Sequence, residues 1–238
     1  MLKMQPAVHK AALANDATVI IPGNVYVFGE QTTAPWSPNT PHRAANLLGA
    51  IRIKMEQSYR DSGVKTIVLR AGDYLDTEHS GNWFDKIMAP SLRKGVLTFP
   101  GKPNIKRAYA FLPDLARAAV LLAEQRDTLN RFEDICFEGY TLTAQQMARS
   151  IATARGHDVK VKEMAWWPLR LVWPFMPDMK HIFEMRYIWN TEHFLDGTRF
   201  EALVPDFEST EKSEAFRQAA KFVALPKRAT PKLTQARA

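Results

Sequence analysis

The stretch Ala17-Thr-Val-Ile-Ile-Pro-Gly-Asn-Val-Tyr-Val-Phe-Gly29 decides the fold. Its first five residues form a continuous apolar and β-branched run, the pattern of a strand covered on both faces. Pro22-Gly23-Asn24 then breaks the run. On its N-terminal side, residues 1–16 read as an amphipathic helix, because His9 and Lys10 interrupt any signal-like apolar stretch. On its C-terminal side, Pro35, Pro38 and Pro41 make residues 30–42 a loop. Apolar residues at 44, 47, 48, 51 and 55 give residues 44–62 helical spacing, and Gly63 supplies the stop. Lys65-Thr-Ile-Val-Leu-Arg-Ala71 is a second buried strand. Helix, strand, helix, strand is the crossover order of a parallel sheet.

The alternation continues. Residues 107–112 read as a strand, and Pro113-Asp114 opens a helix that runs to Glu124. Residues 134–138 form a short strand. Thr143 and Gln146 form a capping box for a helix ending near Gly156, and 159–163 alternates like a strand with one wet face. Trp166-Trp-Pro-Leu-Arg-Leu-Val-Trp-Pro-Phe-Met-Pro177 is broken by three prolines, so it reads as a pair of short core helices. Trp166, Trp167 and Trp173 are expected to roof a cleft or fill a small domain.

The 238 residues are 46% hydrophobic and 24% charged, which suits one large domain or two small ones and excludes wholesale disorder. The single cysteine, Cys136, forms no internal disulfide and suits a reducing, cytoplasmic compartment. No run approaches the roughly 18 apolar residues of a membrane-spanning helix. The net charge is +7, but Lys227, Arg228, Lys232 and Arg237 supply four of those charges in a tail, 226–238, that reads as disordered. The remaining charge is too small for a nucleic-acid footprint, and neither nucleic acid nor membrane is an expected partner.

Common chemical motifs are absent. Gly95 and Gly101-Lys102 have the wrong spacing for a phosphate loop, and Pro103 stands where a hydroxyl should bind magnesium. The six histidines make no HExxH, and no metal site is expected. His181/Glu184 and Glu192-His193 read as surface or core pairs. The chain contains neither a nucleophile elbow nor a glycine-rich dinucleotide fingerprint. Position is then the remaining guide: ligands of open parallel sheets bind beyond the carboxyl ends of the strands. Those ends are 22–29 and Arg70-Ala-Gly-Asp73, where glycine permits close backbone approach.

Several pieces of the chain resemble the extended short-chain dehydrogenase/reductase family in its NAD-dependent epimerase/dehydratase branch. Asn24-Val-Tyr-Val-Phe-Gly29 resembles the family's Ser-x-x-Val-Tyr-Gly strand end, and Leu48-Gly-Ala-Ile-Arg52 with Glu56 resembles its Tyr-Gly-x-x-Lys and following Glu. Leu69-Arg70, Ala110-Phe-Leu-Pro-Asp114-Leu-Ala116 and residues 195–205 resemble three later family segments in the family's order. The resemblance implies an α/β protein: the C-terminal part of a Rossmann-like parallel sheet with a smaller α+β substrate-binding domain. It places the second half of an NAD(P)-binding domain at 1–75. The remaining Rossmann elements, interleaved with the small domain, fall at 76–225. It also implies that the glycine-rich first half of the family fold is missing. The bared edge of the strand at 17–21 then predicts self-association.

The same resemblance implies NAD or NADP as cofactor, with weak or absent binding expected for this chain because the pyrophosphate-gripping half is missing, and a sugar-nucleotide, sterol-like or other carbonyl or alcohol substrate. Its catalytic Ser, Tyr and Lys positions hold Asn24, Leu48 and Arg52. Leu48 has no ionisable group, Arg52 keeps only the charge, and Asn24 can orient a carbonyl without acting as an acid. Tyr26 would share a face with Asn24 on one strand and is a substitute acid. The candidate catalytic residues are therefore Asn24, Tyr26 and Arg52, and the candidate cofactor-binding residues Gly23, Asn24, Arg52, Ala71 and Gly72. Two other readings remain open: a non-catalytic binding protein on the same fold, and a basic surface-binding protein using the tail and the Trp-rich stretch.

Overall fold

The computed structural model describes residues 2–172 and 179–224. In chain order it contains α1 (Gln5–Ala14), β1 (Val19–Gly23), α2 (Leu47–Asp61), β2 (Thr66–Arg70), β3 (Asp73–Leu75), β4 (Val96–Phe99) and β5 (Arg107–Phe111). These are followed by α3 (Leu112–Glu124), β6 (Phe132–Cys136), β7 (Tyr140–Leu142), α4 (Ala144–Arg155) and β8 (Lys160–Glu163). The last elements are α5 (Trp167–Val172), α6 (Met179–Glu184), α7 (Thr198–Leu203) and α8 (Lys212–Ala219).

The two strands read first, β1 and β2, lie side by side and parallel, with Val19 opposite Thr66 and Gly23 opposite Arg70. β6 continues the parallel sheet, giving the order β1-β2-β6. One face packs Ile21 and Val68 against Met55 and Tyr59 of α2 and Val8 of α1. The other face packs Ile67, Leu69 and Ile135 against Leu115, Ala118 and Leu122 of α3 and Phe200 of α7. Helices on both faces are the reason the strands read as continuous apolar runs. The architecture is α/β with a parallel, Rossmann-like sheet.

A second cluster surrounds the mixed sheet β3-β5-β7 and the parallel pair β4-β8, and α4 and α8 close over it. The Thr143–Gln146 capping box forms at the start of α4, and Gly156 ends the helix at φ 68°. The pair β4-β8 shows that Val96-Leu-Thr-Phe99 is a strand, which the sequence reading did not assign.

α2 departs from its expected face. Its buried residues are Gly49, Met55, Glu56 and Tyr59, while Leu47 is exposed. Glu56 is drawn inward by Arg70, which is fully buried at the end of β2. Arg70 bonds Glu56 through two nitrogens, at 3.2 and 2.7 Å, and Asp134 of β6 at 3.1 and 2.6 Å. Its fork thus satisfies two carboxylates, the arrangement a buried guanidinium requires.

Trp166 is buried, with its indole donating to the Pro100 carbonyl at 2.8 Å. Trp167 does not roof or fill anything: it opens α5 and is 68% exposed. Pro168 lies in the first turn of α5, a tolerated position, so it does not turn Trp167 inward. Trp173 and the tail 226–238 lie outside the described residues. No helix among the described residues is long and apolar enough to cross a membrane.

Candidate functional site

The carboxyl ends of β1 and β2 open into a cleft of about 390 Å³. Its lining includes Asn24, Tyr26, Arg52, Ala71 and Gly72, five of the six residues singled out from the sequence, together with Asp73, Tyr74, Asn82 and Trp83. The volume is that of a small-molecule site. Gly23 is the sixth, and it does not line the cleft. A Cβ there would stand 2.8 Å from Val68 Cγ1, so its role is close packing of β1 on β2. Gly72 is held in the same way: a Cβ would stand 2.1 Å from the Ala108 carbonyl oxygen of β5.

Asn24 and Tyr26 are not on one strand. β1 ends at Gly23, and Asn24 caps a short 3-10 turn, Val25–Val27, by accepting the Tyr26 N–H on its Oδ1 at 3.1 Å. The side-chain preference of Asn for such turns overrides strand continuation. Both residues still reach the cleft. The Asn24 carbonyl accepts from Arg70 Nη1 at 2.6 Å, so the buried ion cluster fixes the backbone while Asn24 Nδ2 is left to the cleft.

Tyr26 is not a phenol of depressed pKa. Burial, then the nearby Asp73 carboxylate, push it up to about 12, against opposing contributions from the Trp83 indole and the guanidinium groups of Arg107 and Arg52. It stays neutral through the physiological range. Arg52 stands at the exposed mouth, with Nη1 3.4 Å from the Pro22 carbonyl. Leu48 lies in the first turn of α2 and is not among the cleft residues.

Asp73, within the strand end 70–73 but not among the candidate site residues, and Trp83 also line the cleft. Asp73 pairs with Arg107 of β5, and β3 runs beside β5 to bring them together. Trp83 enters the cleft from the start of a π-helical segment, Phe84–Met88, and packs edge-on against Trp189 at 4.2 Å. Nothing local in the sequence marks either contact.

Other chemical groups are structural. Cys136 is buried, and burial pushes its thiol up to about 12, which makes it a poor nucleophile. His42, Glu56 and Asp134 have the composition of a metal site, yet the Arg70 guanidinium already bonds both carboxylates. His193 is stacked on Trp36 at 4.7 Å in the core, and His181 pairs with Glu184 at 3.2 Å, matching the core and surface roles read for them.

No family model matches the chain, and no curated protein matches it. Solved structures do resemble it. L-threonine 3-dehydrogenase from Trypanosoma brucei superposes with a TM-score of 0.68 at 14% identity, over 90% of this chain and 65% of that one. MoeE5 in complex with UDP-glucose and NAD gives 0.66 at 13%, over 90% and 67%. UDP-glucuronic acid 4-epimerase from Bacillus cereus in complex with NAD gives 0.64 at 10%, over 90% and 64%. The chain therefore has the Rossmann-like α/β fold of these structures. It spans about two thirds of the length of these structures.

Proposed function

We propose that the cleft at the ends of β1 and β2 is an oxidoreductase-type site that takes the nicotinamide end of NAD or NADP with a small carbonyl or alcohol compound. The observation that carries this reading is the convergence of Asn24, Tyr26, Arg52, Ala71 and Gly72 with Tyr74 and Trp83 around one cleft at the carboxyl ends of parallel strands. Their donors suit one end of a dinucleotide: an amide at Asn24, a cation at Arg52 for a ribose or phosphate, and ring faces for a flat heterocycle. The sequence offers no glycine-rich loop for the pyrophosphate.

A bound nicotinamide supplies a hydride donor or acceptor. The chain supplies the rest. Asn24 Nδ2 orients a carbonyl oxygen, the neutral Tyr26 hydroxyl donates a hydrogen bond to it, and Trp83 shields the pair from water. A phenol raised to about 12 serves as a donor and not as a base near neutral pH. That last point also favours a second reading, a binding protein that orients its ligand without turnover.

Titration with NADH and with reduced nicotinamide mononucleotide, read by quenching of Trp83 against a Trp83→Phe control, tests the proposal. Both ligands should bind with affinities within about threefold of each other, since the cleft holds only the half they share. Absence of quenching by either, or quenching unchanged in the Trp83→Phe protein, refutes it.

A further inference from the structure

Arg107 is a fully buried guanidinium that reaches the cleft through its partner Asp73. Its Nη2 is paired with Asp73 Oδ2. Among the described residues its Nε and Nη1 have no hydrogen-bond partner. They lie instead among the rings of Phe99, Tyr109 and Trp189, whose centroids are 5.7, 5.7 and 5.9 Å from the guanidinium carbon. Ring faces stabilise a desolvated cation but supply no counter-charge. His193 adds none either, because burial and the Arg107 charge hold it neutral, down to about 3. Asp73 is thus the formal counter-ion of Arg107 in the described structure, and a buried cation cannot be left without one.

Asp73 also faces outward. Its side chain is 12% exposed and lines the cleft between Gly72 and Tyr74, and among the described residues its Oδ1 takes part in no hydrogen bond. One oxygen holds Arg107 from within, and the other is offered to whatever enters. The remaining charged residue of the lining, Arg52, stands at the mouth and makes no ion pair with it.

We infer that Asp73 selects the group that sits beside it in this cleft: its free oxygen receives a hydroxyl or ammonium group, such as a ribose hydroxyl, and its charge keeps a phosphate group from that position and from Arg107 behind it, leaving phosphate to Arg52 at the mouth. This rests on the reading of the cleft as the ligand site, and it names the ligand class for that site. An ammonium or hydroxyl donor gains a charge-assisted bond to a largely buried carboxylate. An anion at the same position meets a carboxylate first and cannot reach the guanidinium behind it. Selection against the wrong charge is the stronger half of such specificity.

Ethanolamine and inorganic pyrophosphate are suitable probes, followed by shifts of the Trp83 indole N–H resonance. In the unaltered protein ethanolamine should bind at least tenfold tighter than pyrophosphate. In Asp73→Asn that order should reverse, because the amide no longer neutralises Arg107. Tighter binding of pyrophosphate by the unaltered protein overturns the inference, as does binding of neither probe. So does an order left unchanged in the variant. The comparison within the unaltered protein stands even if Asp73→Asn fails to fold. Failure of the NADH titration with the ethanolamine preference intact removes the redox reading and leaves the role of Asp73 in place.

Discussion

Tyr26 lies in the cleft, and the environment there makes it a neutral donor and not a phenol of lowered pKa. Strand-end logic brought it to the cleft, but its proton affinity is set by burial and by Asp73, which is 47 positions away in sequence. Its ordinary value near 10 rises to about 12 in the folded chain, so folding favours the neutral phenol. That contribution to stability is fully present below pH 10 and is lost as the pH climbs from 10 to 12. Tyr26→Phe should therefore lose stability less steeply across that window, as measured by urea midpoints at successive pH values. Part of the loss should remain, because Tyr109 and Tyr140 are also raised, chiefly by burial. An identical slope in the variant would show that Tyr26 titrates normally. Arg107 is the counterexample to strand-end reading. It was visible only as one residue of a strand, since its partner Asp73 is set by the pairing of β3 with β5 and by no local pattern.

Among the elements, those whose local pattern and tertiary environment agree were legible. β2 was legible as a buried strand because helices cover both its faces, and α4 because Thr143 and Gln146 satisfy its first turn locally; β1, read as equally buried, is buried only at Ile21 and Gly23, because it lies at the edge of the sheet. β4 was not, because four residues between Gly95 and Pro100 carry little pattern and the partner, β8, begins 61 positions after β4 ends. The face of α2 was misread for a related reason: an ion pair with Arg70, and not an apolar stripe, determines that Glu56 points inward. Gly49 on that helix has a requirement its neighbours lack. A Cβ there would stand 2.3 Å from Ala44 Cβ and 2.7 Å from the Tyr26 carbonyl oxygen, so the helix start lies directly on the 3-10 turn that presents Tyr26. Gly49→Ala should gain helix propensity and still lose stability, by about 1–3 kcal/mol, since overpacking outweighs the smaller propensity gain. Denaturant unfolding decides this, and a stabilised Gly49→Ala protein would mean that the helix start lies away from the turn.

For the molecule as a whole, the consequence lies at the open side of the parallel sheet. Among the described residues, β1 pairs only with β2, so its other side presents backbone groups to solvent. Val19 donates its N–H toward the β2 side, to Lys65, and Gly23 accepts there from Ala71. Alternation along a strand then turns the groups of Ile20 and Pro22 outward. Pro22 has no N–H, and such a proline is tolerated at an edge position, where it blunts pairing. The outward donor is consequently Ile20 N–H, flanked by the outward carbonyls of Ile20 and Pro22. Exposed Met4 and Leu13 of the N-terminal region add apolar surface elsewhere on the molecule. Concentration-dependent self-association through this edge is the expected behaviour in sedimentation velocity. Ile20→Pro removes the outward donor and no bond to β2, so it should shift the protein toward monomer. Ile20→Ala removes the same apolar side chain but keeps the N–H, and it should associate as the unaltered chain does. If both variants associate alike, the contact lies on a surface other than the β1 edge; if Ile20→Ala alone dissociates, side-chain packing and not backbone pairing holds the copies together.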